Sequence, residues 1–222
     1  MVFPTGEQYE INAGSYSAVI TEVGARLRSL TFDGTELLAT HGPDQAPKGW
    51  EGAHLFPWPN RLRDGRYRLS GQEFQLPINE PARNNANHGL NVGLAWKSLA
   101  HFGDSVRQRV VLWPRRGWPG NLAVEILHQI GAGGLRVEVT ATNIGTSPVP
   151  WGYGAHPYFR FDDISNVKLT VPFDAELTVD PDRRLPIRLG PVTPAHDFLQ
   201  PRTIETTVLD TAFTDPLTRD WV

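Results

Sequence analysis

Residues 122–130, Leu-Ala-Val-Glu-Ile-Leu-His-Gln-Ile, are followed by Gly131-Ala132-Gly133-Gly134 and then by Leu-Arg-Val-Glu-Val-Thr-Ala-Thr-Asn at 135–143. Both flanking runs carry the composition of β-strands, and the glycine-rich joint between them reads as a hairpin turn. A phosphate-cradling loop would need a helix behind its glycines, and none follows here. The same pattern repeats outward. Residues 96–102 and 106–113 pair across Gly103-Asp104, and residues 66–69 and 73–76 pair across Ser70-Gly71. Near the N-terminus, 15–22 and 26–32 read as strands, and Asp33-Gly34 is a strong turn signal before a returning strand at 35–38. Residues 167–171, 177–179 and 207–213 are further short strand candidates, the last after a proline-rich loop. No stretch has the pattern of an ordinary amphipathic helix. The expectation is an all-β, antiparallel fold, sandwich or barrel, forming one domain over residues 1–222. No low-complexity linker or recurring sequence repeat interrupts it.

Composition narrows the function. A chain of 222 residues with 40% hydrophobic and 20% charged residues can bury a sizeable core without staples. A net charge of -3 gives no basic footprint, so nucleic acid is not expected as a partner. Cysteine is absent, which removes thiol nucleophiles, disulfides and thiolate metal sites. The N-terminal residues have neither the basic region nor the apolar core of a signal peptide, and no apolar run is long enough to cross a bilayer. A cytoplasmic protein, monomer or homodimer, is the expectation.

Three long irregular segments hold the unusual polar residues. One ends in Pro57-Trp58-Pro59-Asn60-Arg61, the second in Asn84-Asn85-Ala86-Asn87-His88-Gly89, and the third runs from Trp151 to Phe161 with His156 before Pro157. Amide, guanidinium and imidazole groups among aromatic rings suit an uncharged, hydroxyl-rich ligand such as a sugar. Tyr158, beside His156, offers a flat face with a polar tip. Plainer readings stand beside these: Arg61 paired with Asp64, the asparagines as turn residues, His88 as an exposed loop residue, and His156 as a buried strand-end histidine. Trp96 and Trp113 fall within strand patterns and are expected in the core. Trp58, Trp118 and Trp151 border loops and are candidate cleft walls. The seven histidines are nowhere closer than thirteen positions, so no metal site is expected. No Gly-X-Ser-X-Gly elbow points to a serine hydrolase.

These motifs resemble the aldose 1-epimerase (galactose mutarotase) family. Pro59-Asn60-Arg61 with Gly65-Arg66-Tyr67, His88-Gly89, Gly154-Ala155-His156-Pro157-Tyr158-Phe159, and Leu209-Asp210-Thr211-Ala212-Phe213 match its motifs in order. The resemblance implies a large antiparallel β-sandwich of the mutarotase type and cofactor-free interconversion of the α and β anomers of a free aldose. It implies that His156 protonates the ring oxygen, that His88, Asn60 and Arg61 hold hydroxyls together with Tyr158, and that Asp210 binds substrate. The family's catalytic glutamate would follow several strands after Asp210, and nothing in residues 214–222 resembles it. The expectation is therefore a chain lacking its C-terminal strands. A non-catalytic carbohydrate-binding domain and a phosphorylated-sugar epimerase of the same superfamily are the alternatives.

Overall fold

The alternation of apolar and polar residues along the strands builds two layers. A computed structural model describes residues 2–217. They fall into two compact units: the residues up to Asn79 together with Ala86–Arg160, and Glu80–Asn85 with the residues from Phe161 onward.

In the first unit, β1 (Gln8–Ala13), β2 (Tyr16–Thr21), β3 (Leu27–Phe32) and β4 (Thr35–Glu36) form an antiparallel sheet in that order. The turn between the last two takes positive φ at Asp33 (47°) and Gly34 (76°), the mirror-image turn that matches strand twist. Short strands follow: β5 (Ala53–Leu55), β6 (Arg61–Arg63), the hairpin β7 (Arg66–Leu69) with β8 (Gln72–Gln75), and β9 (Asn85–Asn87), whose first residue is counted with the second unit. The longest strands, β10 (Lys97–His101), β11 (Ser105–Leu112), β12 (Leu122–Gly131) and β13 (Gly134–Asn143), make a second antiparallel sheet. The pair β12–β13 runs in register from Leu122 opposite Asn143 to Gly131 opposite Gly134, as a hairpin should. A last strand, β14 (Gly154–His156), pairs with β5.

Along β12, Leu122, Val124, Ile126, His128 and Ile130 are all buried, while Glu125, Leu127 and Gln129 on the other face are only partly covered. Ile130 and Val106 of the second sheet meet Ile11, Ala18 and Ile20 of the first, so the two sheets close face to face. A second cluster gathers Phe56, Trp96, Leu112, Trp118, Val124 and Ile126. Each such large side chain is worth roughly 1.5–3 kcal/mol on burial.

In the second unit, β15 (Lys168–Leu169) pairs with β18 (Arg202–Thr203), and β16 (Phe173–Val179) lies between β17 (Pro186–Pro191) and β19 (Ala212–Pro216). Among the described residues no helix is long and apolar enough to cross a membrane.

The fold is all-β and antiparallel, as the hairpins predicted. Seven strands, β1, β5, β6, β9, β14, β17 and β18, lie where no strand segment was expected. All three residues of β5 are buried, which erases the period of two. Strand β17 begins and ends in proline and sits at a sheet edge, where proline is tolerated. Two tryptophans exchange roles. Trp113, expected in the core, is 59% exposed because β11 ends at Leu112; Trp118, a candidate cleft wall, is 1% exposed inside the core.

Candidate active site

Opposite residues of an antiparallel pair share a face, and neighbours along a strand do not. In the β5–β14 pair, His156 lies opposite Ala53 and His54 opposite Ala155. The two histidines therefore project from opposite faces of one short ribbon.

On the His156 face, aromatic rings converge. The His88 ring is 5.5 Å from that of His156, edge on, and the Tyr158 ring is 5.3 Å from it on another side. Trp50 packs on His88 at 4.6 Å. His88 itself is fixed from the backbone upward. It follows β9 with φ 60°, and its N–H donates to the Asn60 carbonyl at 2.9 Å. The Asn60 N–H returns a hydrogen bond to His88 Nδ1 at 3.1 Å. A nitrogen that accepts from an N–H carries no proton, so neutral His88 carries its proton on Nε2. Arg61 Nη1 donates to Asn60 Oδ1 at 3.0 Å, tying the guanidinium to the same loop. Gly89 completes the turn at φ 76°, and any Cβ there would collide with the Phe56 carbonyl.

His156 Nδ1 is buried, and no partner meets hydrogen-bond geometry with it. Burial lowers the His156 pKa from its ordinary value, its own carbonyl partly offsets this, and the positive charge of Arg26 lowers it further. The arrangement thus presents two imidazole rings among aromatic faces, able to hydrogen-bond a hydroxylated ligand and to move a proton near neutral pH.

On the opposite face lies a buried polar chain. His54 Nδ1 is 2.7 Å from the Tyr153 hydroxyl, and its Nε2 is 3.1 Å from Nε2 of His128. Burial raises the Tyr153 pKa to about 12 and lowers that of His54 to about 4.

Of the residues singled out from the sequence, Asn60, Arg61, His88, His156 and Tyr158 lie together in the first unit. Asp210 belongs to the second, where its Oδ2 is 3.4 Å from Arg184 Nη1. It lines a pocket of about 240 Å³ that also contains the hydrogen-bonded pair Glu176–His196. Sequence reasoning missed Trp50, which sits in the irregular 41–60 segment, and Arg26, which passed for an ordinary strand residue. Among the described residues no cluster of three or more His, Asp or Glu side chains could hold a metal ion.

The fold is all-β and antiparallel, and two histidine rings meet on one face of its β5–β14 ribbon. The model of the aldose 1-epimerase family matches residues 7–221. The Escherichia coli K12 protein YihR, itself uncharacterized, is 36% identical over 213 residues, which cover 94% of this chain and 69% of YihR. The galactose mutarotase of Rattus norvegicus is 32% identical over 130 residues, 54% of this chain and 36% of that enzyme. Among solved structures, the GalM/aldose epimerase homologue from C. elegans superposes with a TM-score of 0.84 at 20% identity, covering 96% of this chain and 72% of that one. The galactose 1-epimerase of Lactobacillus acidophilus NCFM gives a TM-score of 0.71 at 22% identity, covering 87% and 60%. The chain belongs to the aldose 1-epimerase family.

Proposed function

We propose that this protein interconverts the α and β anomers of a free aldose, with His156 as the proton donor. Sugar ring opening needs a proton delivered to the endocyclic oxygen as the C1–O bond breaks, and a proton removed from the C1 hydroxyl by a base. Rotation about C1–C2 and closure on the other face give the second anomer. Burial lowers the His156 pKa, which makes its imidazolium a stronger acid. In this reading His88, Asn60, Arg61 and Tyr158 hold the hydroxyls, and Trp50 offers a flat wall for a C–H face. The observation that carries the reading is the meeting of the His88 and His156 rings at 5.5 Å, one of them fixed by the Asn60 backbone.

Polarimetry of freshly dissolved α-glucose or α-galactose tests it. The protein should accelerate the approach to the equilibrium rotation, and His156→Ala should lower kcat by roughly 10²–10⁴-fold, the usual worth of one acid–base group. No acceleration over buffer with any common aldose would remove the reading.

A further inference from the structure

We propose that Arg26 is a positioning residue of this site, a buried cation that pins the Trp50–Glu51–Gly52 turn against His156 and His88. The inference rests on the reading of His156 as proton donor. Arg26 is 3% exposed, and its Nη1 donates to the Glu51 carbonyl at 2.8 Å. On either side of that carbonyl the turn is tied to the site. The Gly52 N–H donates to the His156 carbonyl at 3.0 Å, and Trp50 packs on the His88 ring at 4.6 Å. The Leu27 N–H, next to Arg26 in sequence, donates to the Gly52 carbonyl at 3.0 Å. One guanidinium therefore anchors the only residue between two that touch the paired histidines.

An apolar side chain could fill the same volume without the desolvation cost of a buried cation. The charge has a use here. Burial lowers the Arg26 pKa, and Glu51 opposes that most strongly. The Glu51 carboxylate accepts in turn from the Lys48 N–H at 3.0 Å, and His41 Nδ1 lies 3.3 Å from it. The titratable groups around the His156 ring are Arg26, His88 and Tyr158, with Glu51 behind Arg26. Of these, Arg26 is the fixed positive charge, so it disfavours a second proton on His156 and sharpens its acidity once protonated. Arg26 does not need to touch the sugar to do either job.

NMR titration of the histidine side chains in the whole chain, alongside polarimetry, tests this. Arg26→Met should move the His156 midpoint to higher pH and lower kcat by roughly 10–100-fold with little change in KM, since the turn loses its anchor. Arg26→Lys keeps the charge without the planar fork, so its midpoint should stay near that of the unsubstituted protein while kcat falls less. A folded Arg26→Met protein with unchanged midpoint and kcat would overturn the inference. If Arg26→Met does not fold, Arg26→Lys decides: a kcat equal to that of the unsubstituted protein overturns it. An unsubstituted protein that fails to accelerate anomer exchange removes the proposed function, and the titrations still report on Arg26.

Discussion

Acid should unfold the first unit through the pair His54–His128. His54 is 3% exposed and His128 is fully buried, and a single proton lies between their Nε2 atoms at 3.1 Å. Protonating one ring would bury an unhydrated charge, and protonating both would set N–H against N–H. Burial drives the His54 pKa down to about 4, with the charge of Arg26 adding to it and a bond to the Ala25 carbonyl opposing it. Burial also lowers His128 well below its ordinary value, helped by His54. For a base with a depressed folded pKa, the unfolded chain binds protons that the native state refuses. Stability is then full above pH about 6.5 and is lost as pH falls below it. With His54 at about 4 folded and about 6.5 unfolded, moving from pH 7.5 to 5 costs about 2 kcal/mol from this residue alone. At an m-value of roughly 2–3 kcal/mol/M, the urea midpoint should fall by about 0.7–1 M. Tryptophan fluorescence suits the assay, because Trp50, Trp58, Trp96 and Trp118 all belong to this unit. His54→Gln keeps an amide near the Nε2 position without the titration. It should be less stable at pH 7.5, having lost the Tyr153 bond, yet lose about 2 kcal/mol less on acidification. If its midpoint drops between pH 7.5 and 5 by as much as the unsubstituted protein's, the reasoning is wrong.

Two other substitutions probe the frame of the site. Asn91 is 1% exposed; it donates to the Gly24 and His54 carbonyls, each at 2.9 Å, and accepts from Trp96 Nε1 at 2.8 Å. Asn91→Ala breaks all three and leaves a buried indole N–H unpaired, so calorimetry should show a loss of about 3 kcal/mol or more. Gly52 has φ 60°, and a Cβ there would collide with the Leu27 carbonyl, a backbone atom that cannot swing aside. Gly52→Ala should displace the turn that bonds His156 and lower kcat at least tenfold; unchanged kinetics and melting would mean the turn adapts.

The parts of this protein that could be read from its sequence are those set by neighbours along the chain. Asp33-Gly34 and Ser70-Gly71 take left-handed backbone at both residues, so the two hairpins were legible from two residues each. The register of β12 with β13 follows from one short turn. What escaped was set at a distance. Ala53, His54 and Leu55 are buried together, and with no exposed face there is no alternation to read. Arg26 finds its partner at Glu51, 25 positions on, and nothing local marks it off from other strand arginines. His88 and Asn60 lock together across 28 positions, and only the family motif drew attention to both. Asp210 was legible through the resemblance alone, and its observed partner, Arg184, was not anticipated.

The ribbon of β5 and β14 makes the acid response of the fold and that of the chemistry two separate matters. His54 faces the core and His156 the site, although one residue step separates their positions in the pair. Lowering the pH fills the donor state of His156, so a proton donor is not what acidification takes away. It does charge His54, which weakens the strand that sets the His156 backbone. Loss of turnover on the acid side should therefore follow the unfolding curve, apart from any contribution of the base at the C1 hydroxyl. His54→Gln distinguishes the two, because it removes the first cause and leaves the second. If the acid limb of turnover shifts to lower pH in that variant together with the unfolding transition, the limit lies in the core; if turnover declines while fluorescence stays native, it lies in the base.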